Sequence, residues 1–515
     1  MEPQLILLLL GLLISTVIYS LFTPTKKKRL PPGPPAFPII GNLYCLRLTN
    51  SLSDIETLLR NLALRLGPIV TIDVGSHPNI FIADRVVARK ALVELGATFA
   101  SRPYPPLDYR LLNSRFSIIS SSPYGPTWRQ LRRNLTSEFL HPSTMCAFSD
   151  GRRWVLGLLL KRLQSKSQEF SDRVVDVKES FQFAMFAILL LMCFGERMDE
   201  QTIREIEDVQ RNILPFSTKH LGVFNLVPKL LSKIFLRKRF NTFLKLKHRQ
   251  SELLLPLIRA RRNRPTVESE VGEQKQFTYS YVDSLLDISL AEEGGRRLSD
   301  EEVLVLCSEL LTAGTDTTAT ALQWTMAQIV DQRSVQQKLV EEIENVVKRN
   351  GGELKEEDLQ KMPYLKAVVM EGLRRHPPSH FVLPHAVTKD VELEGWLIPR
   401  NSSVNVMVAD FGLDDKVWKE PMEFKPERFM EGGDGEGVDI TGNRELKMMP
   451  FGVGRRICPG IALAMLHMQY FVANLVKEFE WETVDGKKVD FSEKSEFTVV
   501  MKNPPRLRIT PRSNA

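Results

Sequence analysis

Cysteine and histidine are scarce in this chain of 515 residues, which holds 5 of the first and 8 of the second. No CxxC pair, no CxxCH and no histidine-rich tract occurs, so zinc sites and covalent c-type haem attachment lack their usual spacing. Cys45, Cys146, Cys193, Cys307 and Cys458 stand singly. That pattern argues against a disulfide framework and fits a reducing compartment. No glycine-rich nucleotide-binding loop is visible. Charge of one sign is not gathered anywhere in the body: the net +7 arises from lysines and arginines interleaved with acids, which leaves nucleic-acid binding without a basis. Internal repeats are absent as well.

One long uncharged run is present. Residues 4–22 read QLILLLLGLLISTVIYSLF, and 19 residues at about 1.5 Å each approach the thickness of a bilayer's hydrocarbon core. A cleaved signal peptide is the alternative. Glu2 stands where basic residues would precede such a peptide, no small-x-small site follows, and Lys26, Lys27, Lys28 and Arg29 come next. The run therefore reads as an uncleaved anchor over 1–25 with the following chain held on the cytosolic side. Residues 26–36 join the basic cluster to LPPGPP, a proline-stiffened spacer. Residues 37–515 form the body, without an internal boundary.

Short strand-like runs occur early (IVTIDVG, NIFIAD) and again in FVLPHAV, VELEGWLIP and SSVNVMVAD. Helical periodicity dominates elsewhere, so the fold class is mainly α with small β-sheets. The polar stretch 262–276 and the glycine-acid run 431–439 read as loops. The clearest helix starts at Ser299, where SDEE sets a capping serine three residues before Glu302. It continues for about eight turns. Its centre, Ala313-Gly314-Thr315-Asp316-Thr317-Thr318, weakens a helix that needs no such residues, and local inconsistency of this kind marks functional sites.

Cys458 lies in PFGVGRRICPG, directly before the helical run IALAMLHMQYFVANLV. A cysteine thiolate ligates soft metals or haem iron, and a helix N-terminus favours an anion in front of it. Gly452, Gly454 and Gly460 allow close backbone approach, and Arg456 supplies a cation for a carboxylate. Each feature alone has an ordinary explanation in packing, turns or solvation. Together, Phe451-x-x-Gly454-x-Arg456-x-Cys458-x-Gly460 fixes five positions, expected by chance on the order of once in several thousand such chains.

This loop resembles the haem-ligand loop of the cytochrome P450 superfamily, the haem-thiolate monooxygenases. Three further motifs occur in the order that family has. Glu371 and Arg374 form its ExxR, and Arg428 in PERF matches the third member of its buried charge network. The helix centre matches A-G-x-D-T-T, in which Gly314 would thin the helix at the haem face. There Asp316 and Thr317 would be the acid and alcohol that hand protons to the oxygen site. Trp128 and Arg132 form WxxxR. The resemblance implies that these two, with His385 and Arg456, reach the haem propionates, and that Phe451 and Gly460 pack at the cofactor. The role of Arg455 is open. YGPTWRQLRRNL, MPYLKAVVMEGLRRHPP and EFTVVMK resemble the plant microsomal A-type branch, family eighty-nine.

The resemblance implies haem b liganded by Cys458, dioxygen, a lipophilic small-molecule substrate, and electrons from NADPH through the NADPH–cytochrome P450 reductase. Basic residues such as Arg132 and Arg133 would steer that acidic partner. It also implies a single-pass protein of the endoplasmic reticulum membrane with its catalytic domain in the cytosol. Phe381, Val382, Phe497 and Thr498 are the expected pocket walls, and the apolar-basic stretch 226–240 could lie on the bilayer. Two rival functions are a peroxide isomerase or dehydratase independent of the reductase, and a non-catalytic haem sensor or electron carrier. The intact Asp316–Thr317 pair argues against both.

Overall fold

The computed structural model describes residues 11, 15, 30–36, 41–42, 52–74, 77–104, 117–169, 174–216, 237–263, 278–349 and 353–512. The candidate anchor (apart from Gly11 and Ser15), the basic cluster, residues 226–236 and most of the polar stretch 262–276 lie outside them. Among the described residues no helix is long and apolar enough to cross a membrane.

The main sheet grows from the early alternating runs. Strands β1 (Ile69–Val74) and β2 (His77–Ile82) pair antiparallel, with Ile72 opposite Asn79. Strand β3 (His385–Ala386) pairs antiparallel with β4 (Ser403–Val406), and β4 lies parallel to β2. The sheet order is therefore β1-β2-β4-β3, which seats His385 on an edge strand. The last strand is shorter than SSVNVMVAD suggests. After Val406 the backbone N–H of Val408 turns to the His380 carbonyl at 2.7 Å, and a short helix, Val408–Gly412, follows.

The proline segment is docked rather than a free spacer over its described part. Thr71 N–H donates to the Pro32 carbonyl at 2.8 Å, and Asn42 Nδ2 donates to the Pro35 carbonyl at 2.8 Å. Two backbone carbonyls of a segment whose prolines have no N–H thus find donors on the body.

The helical layer is built around five elements: α1 (Pro126–Arg133), α2 (Lys178–Phe194), α3 (Glu200–Phe216), α4 (Asp300–Asp331) and α5 (Pro363–Arg375). In α4, Ser299 accepts from the Glu302 N–H and Glu302 reaches back to the Ser299 N–H, the reciprocal cap expected from SDEE. Helix α2 is apolar on every side because it is enclosed on every side; residues 180–194 are all buried. Residues 431–439 form turns, as their glycines imply. The helix after the cysteine loop, α6 (Ile461–Glu478), buries His467, Phe471 and Leu475 in the main core.

His467 gives that core a pH dependence. Burial, reinforced by the Arg152 guanidinium, pushes its imidazole down to about 3. A base whose folded pKa lies below its unfolded value stabilises the fold above the unfolded pKa and loses that contribution as pH falls. With an unfolded value of about 6.5, the loss between pH 7 and pH 5 is on the order of 2 kcal/mol. Unfolding measured at both pH values is expected to show a slope smaller by about that amount in His467→Leu. Equal slopes would contradict it.

Candidate active site

The cysteine loop reaches its conformation through close backbone contacts. Gly454 adopts φ +72°, and a Cβ there would lie 1.9 Å from the Leu92 carbonyl oxygen. Glycine is therefore required on both counts. A single 3-10 turn, Gly454–Arg456, follows, and the Cys458 N–H donates to the Phe451 carbonyl at 2.9 Å. Cys458 then stands three residues before α6, with Gly460 as its cap. Burial pushes the Cys458 thiol up, while the Gly460 N–H and the Arg132 guanidinium favour its thiolate. The sulfur thus stands at the N-terminal end of α6, where the helix dipole also favours the thiolate against burial.

Beside this loop three guanidinium groups converge: Arg102, Arg132 and Arg456. Every hydrogen bond they make among the described residues ends on a backbone carbonyl. Arg456 Nε, Nη1 and Nη2 donate to Ala100 (2.6 Å), Ile119 (3.0 Å) and Ser122 (2.6 Å). Arg102 Nε donates to Ser120 (2.7 Å) and Nη1 to Leu383 (2.7 Å) and Pro384 (3.0 Å). Arg132 donates to the Ile457 carbonyl. Burial, aided by the neighbouring guanidinia, lowers Arg456 to about 9, and burial lowers Arg102 to about 10. Trp128 Nε1 donates to the Ile119 carbonyl at 2.9 Å, and its ring lies under the Arg456 guanidinium, 4.2 Å from the centroid.

His385 joins the same cluster, with Nδ1 2.7 Å from the Phe99 carbonyl. Burial and the charges of Arg102 and Arg456 push its imidazole down to about 3. A backbone carbonyl only accepts, so Nδ1 is the donor in that bond.

On helix α4, Ala313 is exposed and Thr317 half-buried. Thr317 Oγ1 donates to the Ala313 carbonyl at 2.7 Å. Asp316 accepts from Gln182 Nε2 at 3.3 Å, and burial raises its carboxyl, opposed by Arg211. Gly314 serves a different surface from the one expected. A Cβ there would lie 2.7 Å from Leu189 Cδ1, so the glycine admits α2 rather than thinning the helix toward the cysteine loop. A cleft beside Asp316 is lined by Phe186, Gln210, Arg211, Leu311, Thr315 and Phe497, among others.

The Glu371–Arg374 pair is fully buried. Arg374 Nε and Nη2 donate to Glu371 Oε2 (2.6 Å) and Oε1 (2.8 Å). Arg428 Nε donates to Glu371 Oε1 at 3.2 Å, and Lys425 N–H to the same oxygen at 2.8 Å. The spare donors reach backbone carbonyls, including Pro421 (2.9 Å) and Glu420 (2.6 Å), and Asp434 (3.0 Å). All three charges are thus paired and hydrogen-bonded.

Of the four expected pocket walls, Phe497 lines the cleft. Val382 is tied to the Val406 carbonyl through its N–H at 3.1 Å and faces Gly452. Phe381 sets its ring edge-on to Phe81 at 6.5 Å, and Thr498 bonds its hydroxyl to Thr320 at 2.8 Å. Those two are not among the residues that line this cleft. Phe451 is partly buried against the main core. Arg455 acquires a partner: its Nη1 bonds the Tyr124 hydroxyl, and the guanidinium lies 5.5 Å from that ring's centroid. Reading the sequence missed Arg102, Gln210, Arg211 and Glu309 as individual site residues.

Comparison with known proteins is consistent throughout. The family model described as Cytochrome P450 matches residues 31–510. The chain is 45% identical to "Cytochrome P450 89A9" of Arabidopsis thaliana, covering 97% of this chain and 98% of that one. It is 29% identical to "Flavonoid 3'-monooxygenase" of Arabidopsis thaliana, covering 98% of each. A zebrafish cytochrome P450 solved with progesterone has a TM-score of 0.71 at 22% identity, covering 89% of this chain and 99% of that one.

Proposed function

The chain belongs to the cytochrome P450 family, with its kinship in the plant eighty-nine group, and on that premise we propose that Cys458 ligates a haem b whose two propionates lie on Arg102, Arg132 and Arg456. One observation carries this reading: three half-buried guanidinium groups flank the cysteine loop and have backbone carbonyls as their hydrogen-bond partners. Partly desolvated cations without a carboxylate partner favour an anionic ligand. A flat group with one soft-ligand position and two carboxylates at an edge suits the donor set. When bound, haem supplies the dioxygen and one-electron chemistry of the family.

The residues of this chain then divide the remaining work. The Gly460 N–H and Arg132 favour the thiolate of Cys458 against the burial that opposes it. Trp128 keeps Arg456 in place by stacking and by sharing the Ile119 carbonyl. Asp316, whose carboxyl is raised by burial, stores a proton near neutral pH more readily than an exposed aspartate would. Thr317 lies one residue on and can exchange its bond to the Ala313 carbonyl for one to the oxygen site. Phe186, Leu311 and Phe497 set apolar side chains on the cleft beside Asp316, while Gln210, Arg211 and Thr315 add polar atoms to it. Electrons come from NADPH through the membrane-bound flavoprotein reductase. Residues 4–22 tether the catalytic domain to the cytosolic face of the endoplasmic reticulum.

The test uses isolated membranes, reductase, NADPH and a panel of lipophilic substrates, with one oxygen atom of dioxygen followed into product. Thr317→Ala is expected to lower product formed per NADPH consumed by roughly tenfold or more while haem is retained. Unchanged coupling would remove Thr317 from the proton path. Product formation without NADPH would favour the isomerase reading instead. Deleting residues 1–25 is expected to release the protein from carbonate-washed membranes; retention would contradict the anchor.

A further inference from the structure

We propose that Glu309 is a positioning residue that fixes the anion cradle to the oxygen-site helix, an inference resting on the reading that the cradle receives the haem propionates. Glu309 lies on α4, one turn before Ala313. Its carboxylate accepts two backbone N–H groups at once, Ile119 at 2.9 Å on Oε2 and Ser120 at 2.6 Å on Oε1. The carbonyls of those same two residues carry the cradle. Ile119 O accepts Trp128 Nε1 (2.9 Å) and Arg456 Nη1 (3.0 Å), and Ser120 O accepts Arg102 Nε (2.7 Å).

A two-residue peptide is therefore the shared support of an indole and two guanidinia, and a single side chain holds it from the opposite face. Charge-assisted bonds to backbone N–H groups are short and about twice as strong as neutral ones. Ile119 and Ser120 belong to a connecting segment of turns, which has no helix or sheet ladder of its own to fix it there. Their position thus follows α4.

The charges agree with this assignment. Glu309 lies within electrostatic reach of Arg456, and while burial raises its carboxyl, the Ile119 and Ser120 N–H groups and Arg456 favour its charged form. Replacing Glu309 by a neutral residue would remove the carboxylate opposite Arg456 as well as loosen the cradle.

The experiment compares wild-type holoprotein with E309A and E309Q by amide hydrogen exchange and by resonance Raman spectroscopy of the haem. In E309A the amides of Ile119 and Ser120 are expected to exchange about tenfold faster or more, because each loses a charge-assisted bond. In E309Q the carboxamide faces one N–H with its own NH2, so protection falls at one of the two amides. The propionate-bending band is expected to move in E309Q, as in R456K, while bands from the haem core stay in place. A residue that only packs would leave that band still. If E309A does not accumulate, E309Q carries both readouts. Unchanged exchange at both amides together with an unmoved band would overturn the proposal. Absence of haem from the wild type would instead overturn the reading beneath it.

Discussion

Glu371→Ala is expected to destabilise the protein by about 3–5 kcal/mol, because it removes the sole carboxylate between two buried guanidinium groups. Glu371 and Arg374 have side chains at 0% exposure and Arg428 at 4%. In the variant Arg374 would keep its carbonyl partners at Pro421 and Glu423 but lose both bonds to Glu371. Arg428 would keep Asp434 at 3.0 Å, so Arg374 bears most of the cost. The effect is one of broken pairing, not of large intrinsic stability in the pair. An exposed pair supplies the contrast: Arg333 and Glu480 are 3.1 Å apart with side chains 80% and 40% exposed. Glu480→Ala is expected to cost less than about 1 kcal/mol. Denaturant unfolding of the two variants side by side measures the difference. Similar small losses from both would mean that the Glu371 network is not the buried scaffold described here.

Cys458→Ser is expected to reduce monooxygenase turnover by more than about a hundredfold, since even substitutions in the shell outside a metal's ligands cost 10–100-fold. A serine hydroxyl is not ionised near neutral pH and cannot replace a thiolate donor. The loop itself should survive. Its shape comes from Gly454 against Leu92 and from the Cys458 N–H on the Phe451 carbonyl, neither of which involves the sulfur. Unfolding near the wild-type midpoint together with lost turnover would separate ligation from folding. Retained turnover in Cys458→Ser would place the ligand elsewhere.

The parts of this site that could be read from the sequence are the local ones. Ser299 and Glu302 are three residues apart, and the capping box forms as their spacing demands. Glu371 and Arg374 share one helix face for the same reason. Cys458, Pro459 and Gly460 precede α6 directly, so chain proximity alone sets the sulfur at its N-terminus. The illegible parts depend on contacts distant along the chain. Glu309 meets Ile119 across 190 residues, and Arg102 meets Leu383 across 281. Gly314 reads as thinning its helix, but only the packing of α2 decides which side is thinned. Phe381 and Thr498 are pocket walls only by resemblance, and their contacts with Phe81 and Thr320 could not be read from the chain. The proline segment reads as a spacer because prolines donate no hydrogen bonds, yet their carbonyls still accept, and Thr71 and Asn42 supply the donors.

The central claim is that Cys458 is the thiolate ligand of a haem in this chain. Its most direct test is the absorption difference spectrum of the reduced full-length protein under carbon monoxide, recorded in membranes before any substrate is chosen. The account predicts the long-wavelength band of a thiolate-ligated haem in the wild type. A band of the kind given by a neutral nitrogen ligand in freshly prepared protein, or no haem band at all, would contradict it.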